Sequence, residues 1–294
     1  MNRIAFIILA HNEPELLLRT ACRLIKIGDV YIHIDAKTDI SSFKALRDIE
    51  RVYFINDRVS VNWAGWSMVS ATVNLFKAAR CKPYDKFVLL SGQDYPIKGV
   101  NHIKDAILSD DLNVVNGVLV NRKPSQLKYF NHISRYYFYD IHGVLGSSLA
   151  AKSIRRLFHF FSTRFRKKID ASVRWVHGSQ WCVINRSSLD YLVSSYDNRN
   201  EITKILKYGF APDEYFIQTQ LENSKNPSHN INLIDSESTG TFIKANIHVI
   251  DKSLSKYYSL SDLDYLVKSD KLFVRKVNYK YSKTLLDKLD EIFE

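Results

Sequence analysis

IAFIILAHNE, residues 4–13, is a seven-residue apolar run that gives way at once to histidine, asparagine and glutamate. A strand exposed on one face alternates apolar with polar positions, so an unbroken run reads as a strand covered on both faces. Residues 30–34, 52–54 and 87–90 repeat the pattern in shorter form. Between them, residues 15–27 and 68–79 are helix formers with apolar side chains three or four apart. Alternation of this kind predicts an α/β fold with a mostly parallel central sheet and flanking helices. Further on, residues 178–185 read as another strand and 187–195 as a helix.

The chain of 294 residues is 46% apolar and 25% charged, which excludes a disordered or fibrous protein. Its length allows two domains or one α/β domain with insertions. Lys and Arg number 42 against 31 Asp and Glu, a net charge of +11. Cys22, Cys81 and Cys182 are far apart and odd in number, which argues against a disulfide framework or structural zinc and fits a reducing compartment. The first apolar run is too short to span a bilayer and lacks a small-residue cleavage site, so it reads as a buried strand.

In an open parallel sheet, ligands sit beyond the carboxyl ends of the strands. There the chain carries His11-Asn12-Glu13, then His33, Asp35 and Lys37, then residues 62–67 (NWAGWS) and 91–96 (SGQDYP). Taken alone, His11 and His33 read equally well as structural histidines, and Trp63 and Trp66 as core. Pro212-Asp213-Glu214 combines a helix-start proline with two acids in a first turn, a pattern that capping electrostatics also explains.

Residues 152–168 (KSIRRLFHFFSTRFRKK) hold seven basic residues, four phenylalanines and no acid. Such a segment lies on an anionic membrane, binds nucleic-acid phosphate, or packs its aromatics on the domain. No nucleic-acid-binding signature accompanies it, so nucleic acid is not the expected partner.

IAFIILAHNEPELLLR, YIHIDAK, VNWAGWSMVSATVNL, FVLLSGQDYPIK, GSQWCVINR, APDEYFIQTQLENS and LFVRKV follow one another in an order that resembles the Core-2/I-branching N-acetylglucosaminyltransferase family, which includes the peptide O-xylosyltransferases. The resemblance runs from Ile4 to about Val277. It implies a GT-A-like fold and inverting transfer from a UDP-sugar to a carbohydrate hydroxyl without a divalent metal or other cofactor. The lone Asp-x-Asp, Asp262-Leu263-Asp264, sits beside Ser261, where capping explains it.

By its match to the family's catalytic position, Glu214 is the expected general base, with Asp213 orienting the loop or capping the helix. Leaving-group charge on the diphosphate calls for fixed cations. Lys276 and Arg275 match that role; Lys252, with Lys256 as the other nearby base, is the expected second cation. The resemblance places His11 and Asp35 at the uridine and ribose, Trp63, Trp66 and Ser67 on the nucleotide wall, and Asp94 against the donor sugar or acceptor. Ser179, Gln180 and Trp181 fall on the acceptor side, and residues 127–135 border its groove.

The implied organisation is a single domain: residues 1–125 as nucleotide-binding half, 126–235 as acceptor half with a basic excursion at 150–170, and 236–294 closing on the diphosphate. Animal members carry an anchor, a stem and disulfides, whereas this chain reads as a compact bacterial form. It is expected in the cytoplasm, on the inner face of the membrane, building surface polysaccharide on a glycan or lipid-linked glycan acceptor. UDP-GlcNAc is the expected donor, with UDP-xylose, UDP-glucose and UDP-galactose as alternatives. The rival from another class is a non-catalytic basic protein that binds membrane or nucleic acid.

Overall fold

A computed structural model describes residues 3–140, 149–235 and 245–293. The first strand, β1 (Ile4–Ala10), is buried at every position. Helix α1 (Pro14–Leu24) covers one face, where Ile4, Phe6 and Ile8 share a core with Leu17, Ala21 and Leu24. Helix α2 (Trp66–Arg80) covers the other, packing Val69, Val73 and Phe76 with Ala5, Ile7 and Leu9. Each fully buried aliphatic or phenyl side chain of this kind contributes roughly 1.5–3 kcal/mol. Residues of alternate parity therefore serve opposite cores, which is why β1 has no polar position.

Strands β2 (Asp29–Ile34), β3 (Val52–Phe54) and β4 (Lys86–Ser91) complete a sheet ordered β3-β2-β1-β4, all parallel. The predicted strand at 178–185 contracts to Val183–Asn185, antiparallel to β4 at the sheet edge. Its first half is instead a buried loop, and the helix that follows runs from Arg186 to Asp197. The parallel strands end together at Ala10, Ile34 and Ser91. Gly92 is required there, because a Cβ would come within 2.8 Å of the Ala10 Cβ.

Three short strands form a second sheet: β5 (Asp94–Pro96), and two that here take the names βA (His248–Ile250) and βB (Phe273–Arg275). βA runs parallel to βB, and βB antiparallel to β5 in a register that sets Arg275 opposite Asp94. The carboxyl-terminal helix, Tyr279–Phe293, holds this sheet to α1. Arg19 bridges Asp287 at 2.7 Å and Asp290 at 2.6 Å, buried Arg23 reaches Asp290 at 3.0 Å, and Leu285, Leu286 and Leu289 fill the core between. Glu13 accepts from the Tyr279 amide, so the loop after β1 caps that helix.

The basic segment forms a helix, Leu149–Ser162. Among the described residues no helix is long and apolar enough to cross a membrane. Cys22, Cys81 and Cys182 are all free thiols. Residues 236–244, part of the expected closing region, lie outside the described residues.

Candidate functional site

At the carboxyl ends of the strands lies a cleft of about 1330 Å³, lined among others by His11, Trp63, Trp181, Glu214, Lys256 and Lys276. His11, Met68, Gln93, Trp181 and Arg275 also line an adjoining recess of about 510 Å³ that reaches Asp35 and His33. The two form one continuous depression across the ends of β1, β2 and β4.

Glu214 stands on a short turn, Pro212–Glu214, ahead of a helix at Phe216–Glu222. Neither Asp213 nor Glu214 caps that helix through its side chain; both face the cleft. His177 Nε2 lies 2.7 Å from Glu214 Oε2, and the Gly178 amide donates to the Glu214 carbonyl. A Cβ on Gly178 would meet the Asn116 carbonyl at 2.3 Å, so only glycine lets this strand approach so closely. The His177 ring is buried between Tyr129, centroids 4.4 Å apart, and Tyr215, at 4.8 Å. One imidazole edge thus fixes the carboxylate from behind. Beside it, burial and the Glu214 charge push the Asp213 carboxyl up to about 7.

The turn is strained. Ala211, just before it, and Ala64 both have left-handed backbones, φ 46° and 59°, and are joined by the hydrogen bond from Ala211 N to Ala64 O. Leu254, which also lines the cleft, has φ 60°. Non-glycine residues held this way cost roughly 1–3 kcal/mol each, and such strain clusters at functional sites.

Arg275, Lys276 and Lys256 line the same cleft as Glu214. Arg275 donates to Asp94 Oδ1 at 2.8 Å and to Ser91 Oγ, with its guanidinium 4.3 Å over the Trp181 ring. Asp94 also meets His248 Nε2 at 3.0 Å and accepts from the Ser91 amide. Burial alone would raise the Asp94 pKa, but Arg275 and His248 outweigh it and hold the carboxyl well below its usual range. Lys276 lines the cleft with no ion pair to a described residue, and burial together with Arg275 lowers its pKa. Lys256 lines it too, held at 2.5 Å by Asp262.

Several expectations are corrected by these contacts. Asp94, expected against the sugar, is 0% exposed and has both oxygens occupied, so it acts beneath the cleft as the anchor of Arg275. Ser67 is drawn away from the nucleotide wall: its Oγ accepts from the Asn62 amide and donates to Asp140, which sits at the amino end of α2. Trp66 stacks in the core on Tyr196, whereas Trp63 is 73% exposed at the cleft mouth. Lys256, rather than Lys252, lines the cleft. Asp262 does cap, but in a reciprocal box with Ser259 rather than Ser261.

His11, Asp35, Ser179, Gln180 and Trp181 do lie at the depression. Asp35 Oδ1 accepts from the Lys37 amide. His33 accepts from the Val59 amide through Nε2 and burial pushes its pKa down to about 4, so it is a neutral ring that ties down the loop after β3. Leu127–Ser134 is a helix whose His132 reaches the Tyr215 hydroxyl, supporting the Glu214 turn from behind. Sequence reasoning missed His177, His248 and Asp140, each an isolated side chain whose partner is distant in the chain.

The sequence model of the Core-2/I-Branching enzyme matches residues 4–246, most of the chain. Xylosyltransferase 1 of Rattus norvegicus is 26% identical over 239 residues, 76% of this chain and 26% of that protein. A beta-glucuronosyltransferase of Arabidopsis thaliana is 23% identical over 315 residues, covering 98% of this chain and 65% of the other. Xylosyltransferase 1 of Homo sapiens is 26% identical over 240 residues, 76% of this chain and 22% of that one. The chain thus spans less than two thirds of each of these proteins.

Proposed function

The chain belongs to the Core-2/I-branching enzyme family, and from that premise we propose that it is an inverting glycosyltransferase moving a sugar from a UDP donor to a carbohydrate hydroxyl. The observation that carries the reading is one cleft lined both by Glu214, held by His177, and by Lys276, Arg275 and Lys256. The acceptor hydroxyl gives its proton to Glu214 as its oxygen bonds to the anomeric carbon. The bond from that carbon to the β-phosphate oxygen breaks, and its electron pair leaves with UDP. Lys276 meets the charge that develops there; Arg275, aimed by Asp94, and Lys256, aimed by Asp262, flank it in place of a metal. The uracil and ribose occupy the recess at His11 and Asp35.

UDP-GlcNAc is the proposed donor. Relatives named for xylose and glucuronic acid transfer make those sugars the competitors, with glucose and galactose. The proposed acceptor is a glycan of surface polysaccharide, free or lipid-linked, met at the inner face of the membrane through the basic helix at Leu149–Ser162.

Calorimetric titration with UDP and the UDP-sugars in EDTA, then with Mn²⁺, tests this reading. UDP binding without metal is expected, the tightest sugar naming the donor. Binding that requires Mn²⁺ would overturn the metal-free clamp, and no binding at all the transferase.

A further inference from the structure

A second concavity, of about 580 Å³, opens beside Trp63 and is absorbed by none of the roles above. Its walls are residues 137–140 and 207–209. Tyr136, Tyr137, Phe138 and Tyr139 are four consecutive aromatics. The Tyr137 ring is nearly parallel to that of Tyr139, centroids 6.4 Å apart, and the Tyr136 ring to that of Phe138 at 6.0 Å. The Tyr137 amide donates to the Tyr208 carbonyl, which ties the two walls together.

Tyr84 donates its hydroxyl to Asp29 and Tyr95 to Asp290. Here the hydroxyls of Tyr137 and Tyr208 have no hydrogen-bond partner among the described residues, and both residues line the concavity. The Asp140 carboxylate is already taken by Ser67, leaving Lys207 as the charge on the rim. An aromatic-walled concavity edged by the Tyr137 and Tyr208 hydroxyls matches a pyranose, whose C–H face packs on rings while its rim bonds. The groove also meets the catalytic cleft. Trp63 lines the cleft and sits edge-on to Tyr139 at 5.9 Å, and Ala64 beside it is bonded to Ala211 at the Glu214 turn.

We propose that this groove is a distal acceptor subsite, holding neutral pyranose units of an oligosaccharide beyond the one whose hydroxyl reacts. The assignment rests on the glycosyltransferase reading for its acceptor, and on the groove's own chemistry for its ligand class. The test is saturation-transfer NMR on the full chain with chitotetraose, cellotetraose, maltotetraose and xylotetraose, each against its monosaccharide. UDP calorimetry runs alongside. At least one tetrasaccharide should bind more tightly than its monosaccharide. Tyr208→Ala and Tyr137→Ala should weaken that binding by about 3- to 10-fold, with Tyr208→Phe retaining most of it and UDP affinity unchanged.

Tetrasaccharide binding that is equal in wild type and both alanine variants would overturn the subsite. So would the absence of tetrasaccharide binding in a chain that binds UDP. Tyrosine-dependent tetrasaccharide binding without UDP binding would support the groove while felling the transferase reading.

Discussion

His177 Nε2 lies 2.7 Å from Glu214 Oε2, joining a buried imidazole to one of the carboxylates that line the cleft. Glu214→Gln should lower turnover by roughly two to four orders of magnitude with UDP affinity unchanged. His177→Ala leaves the carboxylate in place but unaimed, so a loss of about 10- to 100-fold in kcat is expected, with an altered pH profile and little change in donor KM. Unaltered kcat in either variant, measured by UDP release, would remove that residue from its role.

Lys276 makes no ion pair to a described residue, unlike Arg275 and Lys256. Its ammonium is disfavoured by burial and by Arg275, a penalty that a bound diphosphate reverses. Lys276→Ala should therefore weaken UDP binding and slow transfer together, each by about 10- to 100-fold for a lost charge-assisted contact. Lys256→Ala should do less, because Asp262 already shares that charge. Calorimetry on both variants checks the order of the two effects.

Asp94 is the buried post to which Arg275 is tied. Asp94→Asn leaves a guanidinium uncompensated and should cost about 3–5 kcal/mol in denaturant unfolding. Because the folded-state pKa is depressed, the native chain binds fewer protons than the unfolded one. The stabilisation is therefore present above the unfolded carboxylate value of about 3.9 and is lost as pH falls below it. Wild type should lose stability through that window faster than Asp94→Asn, read from melting temperatures between pH 5 and pH 3.

Asp213 has the opposite sign. Its pKa is pushed up to about 7 in the folded chain, so the native state holds a proton that the unfolded state has released, and stability falls as pH rises from about 4 through 7. Asp213→Asn removes that dependence. Its melting temperature should exceed wild type by about 2–4 °C at pH 8 and by less at pH 5. A gain of equal size at both values would show that the carboxyl is not held neutral.

Much of this was legible beforehand because β1, β2 and β4 are long enough to show a pattern and the loops after them carry the polar residues. His11 and Asp35 stand in those loops, whereas Glu214, Lys276 and Trp181 lie outside them and were singled out by the family resemblance. The second sheet was not, since strands of three residues have no period to read. Its consequence was invisible as well: the pairing of Arg275 with Asp94 follows from strand register between residues 181 positions apart. Asp94 and Ser67 sit at the strand and helix ends where ligand contacts are expected, and local position alone could not show that protein groups already use their hydrogen bonds. His177 gave no signal, its partner being 37 residues away.

The basic segment now has a geometry that separates its alternatives. Ile154, Leu157, Phe158, Phe160, Phe161 and Phe165 are all exposed, so the aromatics do not simply pack away on the domain. Arg156, Arg164, Arg166 and Lys168 are exposed among them, with Arg164 4.0 Å over the Phe160 ring. Lys167 turns inward instead, donating to the Ile205 and Tyr208 carbonyls, and burial pushes its pKa down to about 7. A surface that mixes apolar side chains with cations and no acid suits an anionic bilayer, each exposed cation contributing about 1 kcal/mol. Sedimentation with vesicles containing phosphatidylglycerol should exceed that with phosphatidylcholine alone and fall with salt. Arg164→Glu with Arg166→Glu should cut it by more than about tenfold while leaving UDP binding intact. Equal sedimentation with both vesicle types would sink the membrane reading, and binding to polyanionic nucleic acid in its place would restore the other use of the same charge.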